Sequence, residues 1–107
     1  MVAQKYSVKL SPRFVDELNQ IAQVIANDFG DPIAAEKFVD DASVAIEHRS
    51  YTAASFPIYT PQKERRFPYR YIVFRKKWLI FYRVVDSTME VRRIIYGYRN
   101  IWSIMSE

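Results

Sequence analysis

Three runs of β-branched and aromatic residues, separated by two short polar breaks, constrain the fold of this chain more than any other feature. The runs occupy about residues 69–75, 78–85 and 90–96, and the breaks are Arg75-Lys76-Lys77 and Asp86-Ser87-Thr88. Side chains of this kind suit a pleated surface, and short polar breaks suit tight turns. The pattern therefore predicts an antiparallel meander of three strands.

Alternation within the runs assigns side chains to the two faces of the predicted sheet. Both faces of the middle run are apolar, so that strand should be central and covered by helices on at least one side. On the last run the two expected faces are Val91, Arg93 and Ile95 on one side and Arg92, Ile94 and Tyr96 on the other. A sheet does not need arginines within its strands for stability, so they direct the search for a functional surface.

The first half of the chain predicts a short strand followed by two amphipathic helices. The strand covers about residues 6–10, and Ser11-Pro12 supplies an N-cap and a first-turn proline for a helix that runs to about Phe29. Asp31-Pro32 begins a second helix in the same way, and it runs to about Arg49. The apolar stripe of the first helix is Phe14, Leu18, Ile21 and Ile25, widened by Val15, Ala22 and Phe29.

The order of these elements, β-α-α-β-β-β, defines the expected fold. We predict an α+β domain of two layers, with an N-terminal helical hairpin packed on a mostly antiparallel sheet. A chain of 107 residues is the size of one domain, so residues 1–107 are expected to form it. Between helices and meander, residues 50–68 contain three prolines and are expected to form an exposed loop.

Charge is divided unevenly along the chain. Residues 1–50 hold five basic and eight acidic residues, net −3, whereas residues 51–107 hold eleven basic and four acidic residues, net +7; together these give the overall +4. A basic sheet face would favour a polyanion or an acidic protein partner. The alternative is that these residues only solvate exposed strands and edges.

Composition excludes several classes of function. The chain has no cysteine and a single histidine, His48, so thiolate chemistry and a histidine metal cluster are excluded, and we expect neither metal nor cofactor. No apolar run approaches the roughly 18 residues that cross a membrane. The N-terminus does not resemble a secretory signal. We expect an unprocessed cytoplasmic protein that takes no small-molecule substrate.

Taken together, the order and spacing of these segments resemble the RelE/ParE superfamily, the toxins of type II toxin–antitoxin modules that stabilise plasmids by addiction. The resemblance covers nearly the whole chain. The segments that carry it are residues 6–12, 29–32, 34–38, Tyr69-Arg70, 78–84 and the stretch Arg93-Ile94-Ile95-Tyr96-Gly97-Tyr98-Arg99-Asn100.

The resemblance implies two alternative mechanisms of growth inhibition. ParE-like members inhibit DNA gyrase. RelE-like members are mRNA interferases that cut message in the ribosome; they need no metal because the RNA's own 2′-hydroxyl attacks, and basic side chains offset charge on the phosphate. In both cases the resemblance implies a cognate antitoxin that wraps the toxin and silences it.

Carried over to this chain, the nuclease pattern is incomplete. Arg99 matches an arginine used at the scissile phosphate, and Arg70 matches a basic strand position that contacts RNA. A second catalytic arginine of the nucleases falls at Leu79 here, and the tyrosine expected beyond Arg99 falls near Ile104-Met105. These departures favour a ParE-like toxin, with the RelE-like endonuclease as the alternative.

Further contacts with the target, RNA or a partner are predicted on the strands and in the first turn. The candidates are Arg83, Arg93, Tyr96, Arg75, Lys76 and Lys77. Each also has a structural interpretation, since long side chains on half-buried strands can lie along the sheet and reach water. A third hypothesis, a degenerate toxin that survives only as an antitoxin-binding partner, also stays open.

Overall fold

Two helices pack on one face of a four-stranded sheet in the computed structural model, which describes residues 5–55, 58 and 68–97. The elements in chain order are β1 (Ser7–Leu10), α1 (Pro12–Gln23), α2 (Pro32–Arg49), β2 (Tyr69–Phe74), β3 (Trp78–Val85) and β4 (Thr88–Tyr96). This order and this α+β layering confirm the predicted fold. The helix predicted to reach Phe29 has a π-helical last turn, Val24–Asp28.

The sheet has the strand order β1-β4-β3-β2. The meander β2-β3-β4 is antiparallel, and β1 returns to pair with β4 in parallel. β3 lies between β4 and β2, so the predicted central position of this strand is confirmed. β1 pairs only with residues 88–91 of β4, which leaves the second half of β4 beyond its reach.

Both helices begin at the predicted caps. The Ser11 Oγ accepts a hydrogen bond from the Phe14 amide at 3.3 Å, and the Asp31 Oδ1 accepts one from the Ala34 amide at 2.9 Å. A proline follows each cap, at a position whose amide would have no intrahelical partner. These local signals fix where α1 and α2 start against the sheet.

The π-helical turn explains one wrong prediction. The Phe29 amide donates to the Val24 carbonyl five residues earlier, at 3.2 Å. This wider turn takes Phe29 off the apolar stripe of α1, and its side chain is 76% exposed instead of packed. Phe14 and Leu18 are buried as expected, and Ile21 and Ile25 pack partly buried against the core.

The main core lies between the helices and the sheet. Its buried members from the helices are Phe14, Leu18, Phe38, Ala42 and Ile46, and those from the strands are Ile72, Phe74, Ile80, Tyr82, Met89, Val91 and Ile94. A second, smaller cluster occupies the opposite face of the sheet. It consists of Leu79, Phe81 and Ile95, with Tyr69 and Tyr71 packed against it.

A β-bulge in β4 overturns the predicted division of its side chains. Phe81 pairs with Arg93, but the next residue, Tyr82, pairs with Val91, so β4 contains one extra residue, Arg92. Val91 and Ile94 therefore both enter the main core, although strict alternation assigned them to opposite faces. The interpretation that Val91 shares a face with Arg93 and Ile95 is wrong.

Residues 5–55, 58 and 68–97 contain neither a membrane-spanning helix nor a metal-binding cluster. Neither helix in this part of the chain combines the length and apolar character that crossing a membrane requires. The same residues contain no group of three histidine, cysteine or acidic side chains placed to hold a metal ion. The predicted site residue Arg99, the apolar stretch 101–105 and the charged connector 62–66 lie outside the described residues.

Candidate partner-binding surface

A row of alternating charges crosses three strands on the sheet face opposite the helices. Lys9 of β1 pairs in register with Glu90 of β4, and Glu90 pairs in register with Arg83 of β3. The Arg83 Nε donates to the Glu90 Oε1 at 2.7 Å. Opposite charges directly across neighbouring strands stabilise a sheet modestly, so the row has a structural value of its own.

Arg92, the extra residue of the bulge, adds a third cation to this row. Its guanidinium lies 3.8 Å from the Glu90 Oε1, beyond hydrogen-bonding distance. The row forms the floor of an open pocket of about 180 Å³, lined by Lys9, Ser11, Pro12, Arg83, Glu90 and Arg92. Three cations thus surround one carboxylate, and the pocket carries an excess of positive charge.

Glu90 remains ionised in this setting. The hydrogen bond from Arg83 is the main cause that holds the pKa of Glu90 below its usual value near 4.5, and the charges of Lys9 and Arg92 act in the same direction. The Ser11 hydroxyl is already engaged, because it donates to the Arg92 carbonyl at 3.1 Å and accepts from the amide of Phe14. The cations, therefore, are what this pocket offers a ligand.

Arg93, predicted to contact a target or partner, is bound within the chain. Its Nε and the Oε2 of Glu17 are 2.7 Å apart. Glu17 lies in α1, where its other oxygen accepts a hydrogen bond from the amide of Ile94 at 3.0 Å. Arg93 therefore contributes to the attachment of α1 along β4.

The turn between β2 and β3 holds three of the predicted basic residues. Arg75 folds back onto α2: its Nη2 lies 2.6 Å from the Asp41 Oδ2, and its guanidinium stacks 5.0 Å from the centroid of the Phe38 ring. Arg75 and Lys76 have φ of 52° and 66°. Lys76 and Lys77 are exposed at the tip of the turn. This turn lies at the far end of the sheet from the charged row.

Arg70 lies on the helix side of the sheet. Its Nη2 approaches the Ala54 carbonyl at 3.4 Å, and its buried Nε has no hydrogen-bond partner among the residues that the structure describes. Its register partner is Tyr82, whose hydroxyl donates to the Ala53 carbonyl at 2.7 Å and accepts from Arg49 at 3.2 Å. Burial raises the pKa of the Tyr82 hydroxyl above 10.0. Arg70 and Arg83 therefore lie on opposite faces of the sheet.

Tyr96 closes β4 at the end away from the charged row. Its ring meets that of Trp78 edge to face, with centroids 4.9 Å apart, and the residue is 59% exposed. The predicted site residues are thus distributed over both faces and both ends of the sheet. Among those that lie in the described part of the chain, only Arg83 lines the charged pocket.

An apolar groove lies on the other side of β1. Val8 and Leu10, which alternate with Ser7 and Lys9, are 37% and 46% exposed although both are aliphatic. They line a groove of about 150 Å³ whose other walls are Phe14, Leu18, Ser43, Ile46 and Glu47. Within residues 5–55, 58 and 68–97, β1 is also an edge strand, because no described strand flanks its outer side. Edge strands of this kind are templates for an added strand.

Sequence reasoning missed Lys9, Glu90 and Arg92 as a group. The alternation of residues 6–10 gave a signal for Lys9, since it placed that side chain opposite the apolar positions. Nothing in the sequence revealed that β1 pairs with β4, or that the bulge turns Arg92 towards the same pocket. The apolar groove was missed for the same reason.

This architecture, a helical hairpin on one face of a mixed sheet whose edge strand is exposed, is that of a RelE/ParE superfamily toxin. The chain belongs to the family described as ParE toxin of type II toxin–antitoxin system, parDE, whose model matches residues 8–101. Among solved structures, it is similar to a chain of the chromosomal ParDE toxin–antitoxin system from P. aeruginosa. That similarity has a TM-score of 0.70 and 18% identity, and it covers 88% of this chain and 98% of the other. No curated protein matches the chain in sequence.

Proposed function

We propose that this chain is a growth-inhibiting toxin that acts by binding its target, DNA gyrase, and that a cognate antitoxin neutralises it. Membership of the ParE toxin family supports the toxin assignment. The choice of a binding mechanism over RNA cleavage rests on the identity and burial of Leu79. Where RelE-like nucleases have a second catalytic arginine, this side chain is 4% exposed and packs with Phe81 and Ile95.

The charges of the sheet support the same choice. RNA cleavage without a metal needs cationic side chains that meet the phosphate as charge develops on it. Here Arg75, Arg83 and Arg93 are each within 2.7 Å of a carboxylate oxygen of the same chain. Redirecting any of them to a phosphate would break the shortest ion pair of a carboxylate in the same chain.

A supercoiling assay tests the gyrase proposal. Purified chain is added to gyrase and relaxed plasmid, with relaxation by topoisomerase I as the control reaction. We expect dose-dependent loss of supercoiling with no effect on the control. Primer extension on translated message, with Arg99→Ala as the matched variant, tests the alternative. Ribosome-dependent new 5′ ends that Arg99→Ala abolishes would replace gyrase inhibition by mRNA cleavage.

The antitoxin is proposed to dock along β1. An extended peptide segment can add to an exposed sheet edge, and its alternate side chains then point to opposite faces of the sheet. At β1, one set of side chains would enter the apolar groove beside Val8 and Leu10. Val8 and Leu10 of this strand belong to the lining of the groove, so one added segment can contact both the strand and the groove.

Charge insertion into the groove tests this docking mode. Leu10→Lys places an ammonium in the groove at an already exposed position, so we expect the fold to survive and antitoxin binding to be lost in titration calorimetry. Val44→Lys is the matched control, because Val44 is 58% exposed and is not part of the groove lining. Equal affinities of the antitoxin for both variants would move the docking site away from β1.

A further inference from the structure

We propose that Lys9 and Arg92 form a cationic pocket that binds a carboxylate side chain of the antitoxin segment docked at β1. This inference rests on the proposed toxin–antitoxin function. It adds the kind of antitoxin side chain, an acidic one, that the toxin recognises. The pocket and the apolar groove lie on opposite sides of the same four-residue strand.

The charge balance of the pocket favours an anionic ligand. Glu90 accepts a hydrogen bond from the Arg83 Nε at 2.7 Å. The Arg92 Nη1 lies 3.8 Å from the same oxygen of Glu90, too far for a hydrogen bond. The side chain of Lys9 has no hydrogen bond or ion pair with any residue in the described part of the chain. Arg92 keeps only this long ion pair, so the side-chain donors of Lys9 and Arg92 are available to a ligand. Charge-assisted contacts to a carboxylate are the strong kind of hydrogen bond.

An acidic side chain of a protein fits this surface better than the phosphate backbone of a nucleic acid does. Binding a polynucleotide takes a continuous track of cations along the chain of phosphates. Within the described residues, the other strand arginines on this face are paired internally, Arg83 to Glu90 and Arg93 to Glu17. In the part of the chain that the structure describes, the pocket is therefore an isolated point of positive charge, suited to one acidic side chain.

The geometry of β1 predicts the pattern of that partner segment. Lys9 points to the pocket, whereas its neighbours Val8 and Leu10 line the groove. A strand added along this edge has the same period of two, so its residues alternate between the two sides. The antitoxin segment should therefore alternate acidic residues, which face Lys9 and Arg92, with apolar residues that enter the groove.

Charge reversal at the pocket is the first experiment. Antitoxin affinity is measured by calorimetry for the wild type, Arg92→Glu and Arg92→Lys, at two salt concentrations. We expect Arg92→Glu to weaken binding about 10-fold or more and to flatten the salt dependence, since it replaces attraction to a close charge by repulsion. Arg92→Lys should stay within about threefold, because the charge is kept.

Lys37→Glu is the matched control for net charge. It makes the same change of two units on α2, where Lys37 is mostly exposed and 3.7 Å from Asp41. If Lys37→Glu weakens antitoxin binding as much as Arg92→Glu does, the change in net charge explains the loss of affinity. The pocket then does not bind a carboxylate of the antitoxin. That result would overturn the proposal.

A second probe separates failure of the pocket from failure of the toxin–antitoxin assignment. The ¹⁵N-labelled full chain is titrated with an acetylated hexapeptide of alternating aspartate and leucine, with the lysine–leucine hexapeptide as control. Shifts of the Arg92 Nε–Hε and Lys9 amide signals with the acidic peptide alone support the pocket, even if no antitoxin binds the wild type. Equal responses to both peptides, no response, or stronger shifts with a single-stranded RNA or DNA oligonucleotide would overturn it.

Discussion

The carboxylate of Glu17 in α1 accepts a hydrogen bond from the guanidinium of Arg93 in β4, with 2.7 Å between Oε2 and Nε. Its second oxygen accepts from the amide of Ile94 at 3.0 Å. β1 pairs with β4 only as far as Val91, so this amide lies on the part of the β4 edge that β1 does not cover. One helical side chain thus completes the edge of an interior strand and holds α1 against it.

Glu17→Gln should lower the free energy of unfolding by about 1–3 kcal/mol, because a partly buried guanidinium loses its counter-charge. Urea unfolding followed by circular dichroism measures the change. Glu36→Gln makes the same chemical change at an exposed position of α2 and should have little effect. Equal losses in both variants would show that the Glu17–Arg93 pair contributes nothing specific.

Lys76→Gly should raise the free energy of unfolding by about 0.5–1 kcal/mol. Lys76 has φ of 66°, a left-handed conformation that costs a residue with a Cβ about 1 kcal/mol and that glycine adopts freely. Thermal unfolding measures the gain. Lys77→Gly is the control, since Lys77 is not among the residues with positive φ. We expect it to destabilise slightly, and a gain of the same size there would contradict the strain argument.

The stability of the fold should fall as the pH drops through the lowered pKa of Glu90. Arg83 holds this pKa below its usual value near 4.5, so the unfolded chain binds the proton first. The contribution is therefore complete above the unfolded pKa and is lost on acidification. Urea midpoints of the wild type and Glu90→Gln measured from pH 6 downward should converge at low pH. Parallel curves would mean that Glu90 titrates alike in both states.

Tyr82→Phe should cost about 1–2 kcal/mol at neutral pH, because the Ala53 carbonyl loses its partner and Arg49 loses an acceptor. In alkaline solution the sign of the pH dependence is fixed by burial, which raises the pKa of Tyr82 above 10.0. The unfolded chain loses the proton first, so wild-type stability declines as the pH rises above 10. The variant lacks this contribution, and its deficit should shrink. A deficit that grows with pH would contradict this assignment.

Local signals in the sequence were sufficient to locate the helices and the strands of the meander. Serine and aspartate caps followed by proline located both helices, and β-branched runs between polar breaks located the meander within one or two residues. These signals act within a few residues of the chain, which is why they can be recognised without tertiary structure. The middle run was expected to form the central, covered strand, and its Tyr82 is fully buried.

The candidate surface depended on relationships that no local signal carries. Lys9 and Glu90 are neighbours only because β1 pairs with β4 in parallel, and Arg92 joins them only because of a bulge. The basic side chains of the second half of the chain suggested a basic sheet face. In the structure, acidic residues from α1, α2 and β4 neutralise Arg93, Arg75 and Arg83. Arg99 and the third hypothesis, a degenerate toxin, remain predictions.

The pairing of β1 with β4 joins the first strand of the sheet to the last. During synthesis, β1 leaves the ribosome with no neighbour, and its inner edge stays open until translation has passed β4. The contacts that complete the sheet are among the longest in sequence that the chain can make, and such contacts form late. An unfinished chain therefore lacks the charged pocket, which takes side chains from β1, β3 and β4. An antitoxin that docks there distinguishes a completed toxin from a nascent one.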